Sequence, residues 1–252
     1  MLSFALGIGN QNTQGDWLDV YYPAPLFQPE SALAEAAREA LDAPAGNAVV
    51  SFLPEHCGKL AEALKAAGNA EQAELATSLA ASRRPLVATF IALDQPPESA
   101  PEVYLKLHLL SHRLVKPHGI DLTGMFGLLR NIAWTNEGPI DIEELPARRL
   151  KARLEGRPLS VDCVDKFPKM TDYVVPKGIR IGDSARVRLG AYLGEGTTVM
   201  HEGFVNFNAG TEGPGMIEGR VSAGVMIGKG SDLGGGCSTM GTLSGGGNIV
   251  IK

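Results

Sequence analysis

Two rhythms of apolar and polar positions divide the chain. Through roughly the first two thirds, apolar residues recur at the 3.6-residue spacing of amphipathic helices. The segments "PESALAEAAREALDA" (Pro29–Ala43), "PEHCGKLAEALKAAG" (Pro54–Gly68) and "AEQAELATSLAAS" (Ala70–Ser82) carry it, rich in Ala, Glu and Lys. Pro29 and Pro54 suit a first helical turn, and Gly68 suits a C-terminal cap. "PLVATFIAL" (Pro85–Leu93) is a short apolar run, predicting a buried strand. "APEVYLKLHLLSHRLVKPHG" (Ala100–Gly119) predicts a fourth helix, and "PIDIEELPARRLKARLEG" (Pro139–Gly156) a connecting helical segment.

From Val175 the period becomes six. The chain reads VPKGIR, IGDSAR, VRLGAY, LGEGTT, VMHEGF, VNFNAG, with an aliphatic residue in every first slot and mostly small residues in the fifth. The rhythm resumes at Val221 as VSAGVM, IGKGSD, LGGGCS. Such a period is a solenoid signature: each hexapeptide makes a short strand and a turn, and three close one coil of a triangular prism. The expected architecture is an α/β N-terminal domain (residues 1–119), a connecting segment (120–172) and a left-handed parallel β-helix (173–252). "TEGPGM" after Gly210 places Thr211 where an aliphatic is due, and reads as a Gly/Pro-rich loop leaving a corner. "TMGTLSGGGN" (Thr239–Asn248) breaks the pattern similarly before "IVI" restores an apolar strand.

Composition narrows the function classes. Of 31 glycines, 20 lie between Gly178 and Gly247, matching the tight corners a solenoid needs. An apolar fraction of 44% and a charged fraction of 20% fit a globular chain of 252 residues. The net charge of −5, with no long Lys/Arg block, argues against nucleic acid or an anionic membrane as partner. No apolar run approaches the ~20 residues of a membrane span, and the start has no signal-peptide character, so a cytoplasmic location is expected. Cys57, Cys163 and Cys237 are odd in number and far apart, so reduced thiols are expected.

Candidate chemistry concentrates in "VMHEGFVNFNAG". Hexapeptide carbonic anhydrases need three converging histidines, whereas only His201 lies in the repeat region. His108 and His112 are four apart on a predicted helix and read better as core or surface histidines than as metal ligands. The glycine-rich "LSGGGN" and "LGGGCS" match no P-loop. With Val199 facing inward, His201 and Glu202 sit at a turn and face out; an imidazole beside a carboxylate there could take a proton from an amine or hold one end of a substrate. Asn206 and Asn208 alternate with Val205 and Phe207, predicting a shared outward strand face. Arg186 and Arg188 likewise share a face, and two guanidiniums suit a dicarboxylate.

The run from Asp165 to Asn248, with "VMHEGFVNFNAGT" at its centre, resembles tetrahydrodipicolinate N-succinyltransferases of the longer pseudomonad and actinobacterial type. "YLKLHLLSHRLVKPHG" and the opening "FALGIGNQN" extend the likeness over nearly the whole chain. The resemblance implies a cytoplasmic homotrimer that uses succinyl-CoA to succinylate ring-opened tetrahydrodipicolinate in the diaminopimelate route to lysine. It implies Glu202 as the catalytic residue, through an acyl-anhydride, although a general-base role fits the residues equally well. It places acyl-CoA contacts at Phe204, Gly219, Ser222 and Gly245, leaves Arg186, Arg188, His201, Asn206 and Asn208 as substrate-binding candidates, and implies Mg2+ at the trimer axis with unassigned ligands. Members of that family continue with further coils and a C-terminal cap, so the β-helix is expected to be incomplete at its C-terminus. Alternatives are another hexapeptide CoA-dependent N-acyltransferase, with His201 as base, or an inactive truncated trimer.

Overall fold

A computed structural model describes residues 1–241 and 248–251. The chain forms two compact units: Met1–Leu105 with Leu122–Lys166, and Lys106–Asp121 with Phe167–Lys252.

The first unit contains strands β1 (Ser3–Gln11), β2 (Trp17–Tyr21), β3 (Leu26–Phe27), β4 (Ala48–Phe52) and β5 (Leu86–Ile91) in the antiparallel order β2-β1-β5-β4, with β3 on β1. Helices α1 (Ser31–Ala40), α2 (Cys57–Ala66) and α3 (Ala70–Leu79) bury Leu33, Ala37, Leu60, Leu64, Ala76 and Leu79 in one core with Phe4, Leu6, Phe52, Leu86 and Phe90. These are the apolar positions of the helical rhythm, each full burial worth roughly 1.5–3 kcal/mol for the larger side chains. Gly68 takes a left-handed φ of +86° after α2, as its capping position requires. Helix α4 (Ala100–Ser111) follows, and the boundary between the units falls within it. It ends at Ser111 rather than continuing to Gly119: Arg113 and His118 adopt positive φ, which no helix accommodates.

After the short α5 (Met125–Leu128), strands β6 (Ile132–Thr135), β7 (Gly138–Asp141) and β8 (Val161–Asp165) form a second antiparallel sheet, and α6 (Leu145–Leu154) lies between β7 and β8 in sequence. The expected single helical segment over 139–156 is therefore a strand followed by a helix. Pro139 lies within edge strand β7, where the lack of an N–H costs no ladder bond on the open side.

The second unit is a parallel β-helix. Strands β9 (Arg180–Ile181), β10 (Ala191–Leu193), β11 (Thr197–Val199), β12 (Phe204–Val205), β13 (Ala209–Thr211), β14 (Gly215–Ile217), β15 (Arg220–Val221), β16 (Val225–Ile227), β17 (Ser238–Thr239) and β18 (Ile249–Ile251) stack into three parallel faces: β9-β11-β14, β12-β15-β17 and β10-β13-β16-β18. First-slot residues Val187, Leu193, Val199, Val205, Val221 and Ile227 are at most 1% exposed and fill the prism. The first-slot residues Ile181 and Leu233 are only partly buried and Val175 is 68% exposed, so the repeat starts before the closed coils.

The register between coils corrects one expectation. Thr211 and Ile217 continue the original sixfold slots and are both buried, so "TEGPGM" is not an excursion. The slip comes later: only Glu218, Gly219 and Arg220 separate Ile217 from Val221, two residues fewer than separate Val199 from Val205. Thr211 is tolerated inside because its hydroxyl meets that of Thr197 at 2.6 Å and accepts from Gly194 N–H at 3.2 Å. Thr239, first residue of the second expected break, still pairs with Val221, residues 242–247 of that break lie outside the described residues, and "IVI" does return as β18 beside β16.

The segment Lys106–Asp121 follows one corner of these coils. Ser111 Oγ donates to Ala191 O at 3.1 Å and accepts from Gly190 N–H at 2.8 Å. Further along, His118 N–H donates to Asn208 Oδ1 at 2.8 Å, and a His118 ring nitrogen lies 3.0 Å from Gly224 O. His108 is buried, its ring 6.0 Å from that of His112 and 5.6 Å from that of Tyr173, a packing role as the sequence suggested.

Candidate active site

The polar residues of "VMHEGF" occupy the corner between β11 and β12. Gly203 N–H bonds to Met200 O at 2.9 Å, closing a four-residue turn with His201 and Glu202 at its tip. Above it, the chain passes from β14 to β15 through only Glu218 and Gly219, so the lower turn is two residues longer. Gly203 permits this offset: a Cβ there would stand 2.2 Å from Ile217 O, and Phe204 N–H bonds to Gly219 O at 3.0 Å. The turn thus presents its side chains to solvent, His201 at 74% and Glu202 at 65%.

The coil below supplies a partner. Asp183 Oδ1 accepts from Ala185 N–H at 2.9 Å, starting the short 3-10 turn Ser184–Arg186. That turn aims Arg186, whose Nη2 donates to Glu202 Oε2 at 2.6 Å. On the other side, His201 Nε2 lies 3.4 Å from Glu202 Oε1. The carboxylate is held between a guanidinium and an imidazole, one at each oxygen. At such exposure the ion pair adds at most about 1 kcal/mol to stability; its effect is to orient the carboxylate.

Arg188 lies apart from this pair. Its guanidinium is 5.1 Å from the ring centre of Phe167 and 5.8 Å from that of Phe204, and Nη1 is 3.3 Å from Asn206 Oδ1. Phe167 also stacks on Phe207, 4.5 Å between centres and 2° between planes. Phe204 and Gly219 meet through their backbone bond, and Ser222 follows Val221, whose carbonyl accepts from Asn206 N–H at 3.0 Å; these three expected acyl-CoA contacts therefore gather on the β12–β15 face. Gly219 also lets Cys237 O approach, since a Cβ would lie 2.6 Å from it. Gly245 lies outside the described residues.

The expected shared face of Asn206 and Asn208 is not formed. Residues 206–208 leave the strand as a turn, Phe207 is buried, and Asn208 is buried with φ +50°. Asn208 occupies a corner position stacked between Gly190 (φ +93°) and Gly224 (φ +84°), bonded backbone to backbone with both. Its side chain serves His118 rather than solvent.

Sequence reasoning missed a groove beside the same corner. A concavity of about 340 Å3 is lined by Arg180, Ile181, Gly182, Thr198, Val199, Met200 and His201. Arg180 and Thr198 are register partners on β9 and β11. The available signal was their common place, the sixth slot of the hexapeptide, which points outward. Among the described residues, no group of three or more His, Cys, Asp or Glu side chains is placed to hold a metal ion, and no helix is long and apolar enough to cross a membrane.

Coils of three six-residue repeats, each a short strand and a turn, with a charged turn displaced from the prism, define a hexapeptide-repeat β-helix protein with a solvent-facing polar site. The comparisons with known proteins sharpen this. Residues 129–169 match the family model for the middle part of tetrahydrodipicolinate N-succinyltransferase. The chain is 65% identical over its whole length to the 2,3,4,5-tetrahydropyridine-2,6-dicarboxylate N-succinyltransferase of Pseudomonas putida, covering 73% of that protein. It is 55% identical to that of Vibrio cholerae, covering 74%. A crystal structure assigned as a 2,3,4,5-tetrahydropyridine-2-carboxylate N-succinyltransferase from Campylobacter jejuni superposes with a TM-score of 0.88 at 31% identity, over 99% of this chain and 70% of that one. The chain belongs to the tetrahydrodipicolinate N-succinyltransferase family of acyltransferases.

Proposed function

We propose that this protein transfers succinyl from succinyl-CoA to the amino group of ring-opened tetrahydrodipicolinate, in the diaminopimelate route to lysine, as a cytoplasmic homotrimer. The observation that carries the site assignment is Glu202, exposed on a displaced turn and clamped by Arg186 and His201. In this reading a Glu202 oxygen attacks the thioester carbonyl. The C–S bond breaks, CoA leaves as thiolate, and a succinyl–glutamyl anhydride remains. The acceptor amine, after giving up a proton, attacks the succinyl carbonyl; the anhydride C–O bond breaks and Glu202 is regenerated as carboxylate. The amine's proton balances the thiolate, and His201 is placed to carry it. Arg186 holds the carboxylate in position throughout.

Phe204, Gly219 and Ser222, with Gly245, contact the acyl-CoA in this reading, and Arg188 and Asn206 face substrate. The 3.4 Å approach of His201 favours a second reading, in which Glu202 orients or itself acts as general base for the amine and acyl transfer is direct. The resemblance implies Mg2+ on a trimer axis. The described residues of one chain offer no cluster of donors for it, and no step is routed through a metal.

The test follows free thiol release from succinyl-CoA with 2-aminopimelate as acceptor. Glu202→Gln is expected to lower kcat on the order of 10³-fold, with the folded state retained. Full activity in that variant would remove Glu202 from the chemistry. Succinyl-CoA added with no acceptor separates the two readings: a burst of free thiol matching the enzyme concentration, with a succinyl adduct on Glu202 found by mass spectrometry after rapid quenching, forms through the anhydride and is absent if transfer is direct.

A further inference from the structure

The groove beside the Met200–Gly203 turn is the least explained feature of the β-helix. Arg180 and Thr198 stand side by side on its floor as register partners, and His201 lines it. Three arginines lie on these lower coils, and two are engaged. Arg186 is bonded to Glu202, and Arg188 lies against Phe167 and Phe204 with Asn206 at its edge. The Arg180 guanidinium has no hydrogen-bond or ion-pair partner among the described residues.

An unpaired guanidinium in a concavity, with a hydroxyl donor alongside, is an anion receptor, and its planar fork matches a carboxylate. A volume of about 340 Å3 is at the small end of ligand sites, enough for a short dicarboxylate and not for a whole coenzyme. Position agrees with chemistry. His201, which lines the groove, also holds its Nε2 3.4 Å from Glu202 Oε1. An anion on Arg180 would lie one side chain away from the carboxylate assigned to acyl transfer.

We propose that Arg180 and Thr198 form a carboxylate-binding subsite that anchors the reactants of Glu202. This rests on the acyl-transfer reading above only for which carboxylate is bound. Two sources share the chemistry: a carboxylate of the acceptor, or the free carboxylate of the succinyl group.

Binding of pimelate and of succinate, neither of which can react, is measured by calorimetry on the full chain. At least one is expected to lose tenfold or more in affinity in Arg180→Ala, and to recover partly in Arg180→Lys. The side chain is exposed, so the melting temperature should not move. Kinetics then separates the sources. A rise in KM for 2-aminopimelate alone assigns the subsite to the acceptor, and a rise in KM for succinyl-CoA alone assigns it to the succinyl carboxylate. Binding of neither diacid, or affinities and both KM values within twofold of wild type in Arg180→Ala, overturns the subsite. Should the wild type bind a diacid through Arg180 yet release no thiol, the subsite stands and the transfer reading falls.

Discussion

Asn208 answers two demands at one corner. Its backbone must take φ near +50° to turn the coil between the stacked glycines 190 and 224, and its side chain must supply an acceptor for His118 N–H. Asparagine is among the few non-glycine residues that enter the left-handed region readily. Asn208→Ala should therefore lose about 1–2 kcal/mol to backbone strain and leave the half-buried His118 N–H unpaired, a further ~1–3 kcal/mol. Asn208→Gly should restore the backbone part only. Urea unfolding of the three proteins checks the order wild type, Gly, Ala. Equal loss in both variants would show that the backbone conformation contributes nothing. Nothing in the alternation of "VNFNAG" reveals this, because corner and strand positions carry the same residue types. What separates Asn208 from Asn206 is the coil above and below it, at spacings of 16 and 18 residues.

At the scale of the element, the sixfold repeat was readable because every coil buries the same slot. Aliphatic residues stacked 16 or 18 apart exclude water together, and that demand is written into each hexapeptide. The β-helix and the first-unit helices were legible for that reason. The exact site of the register slip was not. Thr211 looks like a failed aliphatic, whereas its hydroxyl is satisfied inside the prism by Thr197 and Gly194. The true slip, two residues dropped at Glu218–Gly219, hides behind a Gly/Pro-rich stretch that merely resembles a loop. The displaced turn bearing Glu202 is the structural result of that slip. Thr211→Val restores the repeat's preferred residue, and consensus logic would have it stabilise. The structure predicts the reverse: the hydroxyl's bonds to Thr197 and from Gly194 N–H are both lost, and Thr197 keeps only its backbone acceptors, Gly194 O and Gly213 O. The expected loss is about 1 kcal/mol, read from the urea midpoint. A stabilised Thr211→Val would mean that the hydroxyl pair contributes less than the added methyl packing.

At the scale of the molecule, one contribution to stability against acid comes from a tie inside the first unit. The loop after β1 is joined to the second sheet by Asn12 Nδ2, which donates to Asp141 Oδ2 at 3.0 Å across 129 residues of sequence. Arg130 lies 3.3 Å from the same oxygen and 2.6 Å from Asp16. The hydrogen bond from Asn12, then that from Glu143 N–H and the charge of Arg130, hold the buried Asp141 carboxyl below the usual carboxylate range and outweigh its desolvation. A carboxylate with a depressed folded pKa stabilises above its unfolded value, about 3.9, and that contribution is lost as pH falls toward the folded value. The chain's other acidic groups are common to wild type and variant, so Asp141→Asn isolates this term. At pH 7 the variant should be less stable by about 1–3 kcal/mol, having lost the charge that Arg130 and Asn12 face. Below about pH 4 the gap should narrow, because protonation brings wild-type Asp141 to a neutral state like that of the amide. Urea midpoints for both proteins at pH 7, 5, 4 and 3 test this: converging curves assign the acid-labile tie to Asp141, and parallel curves would mean its ionisation is not coupled to folding.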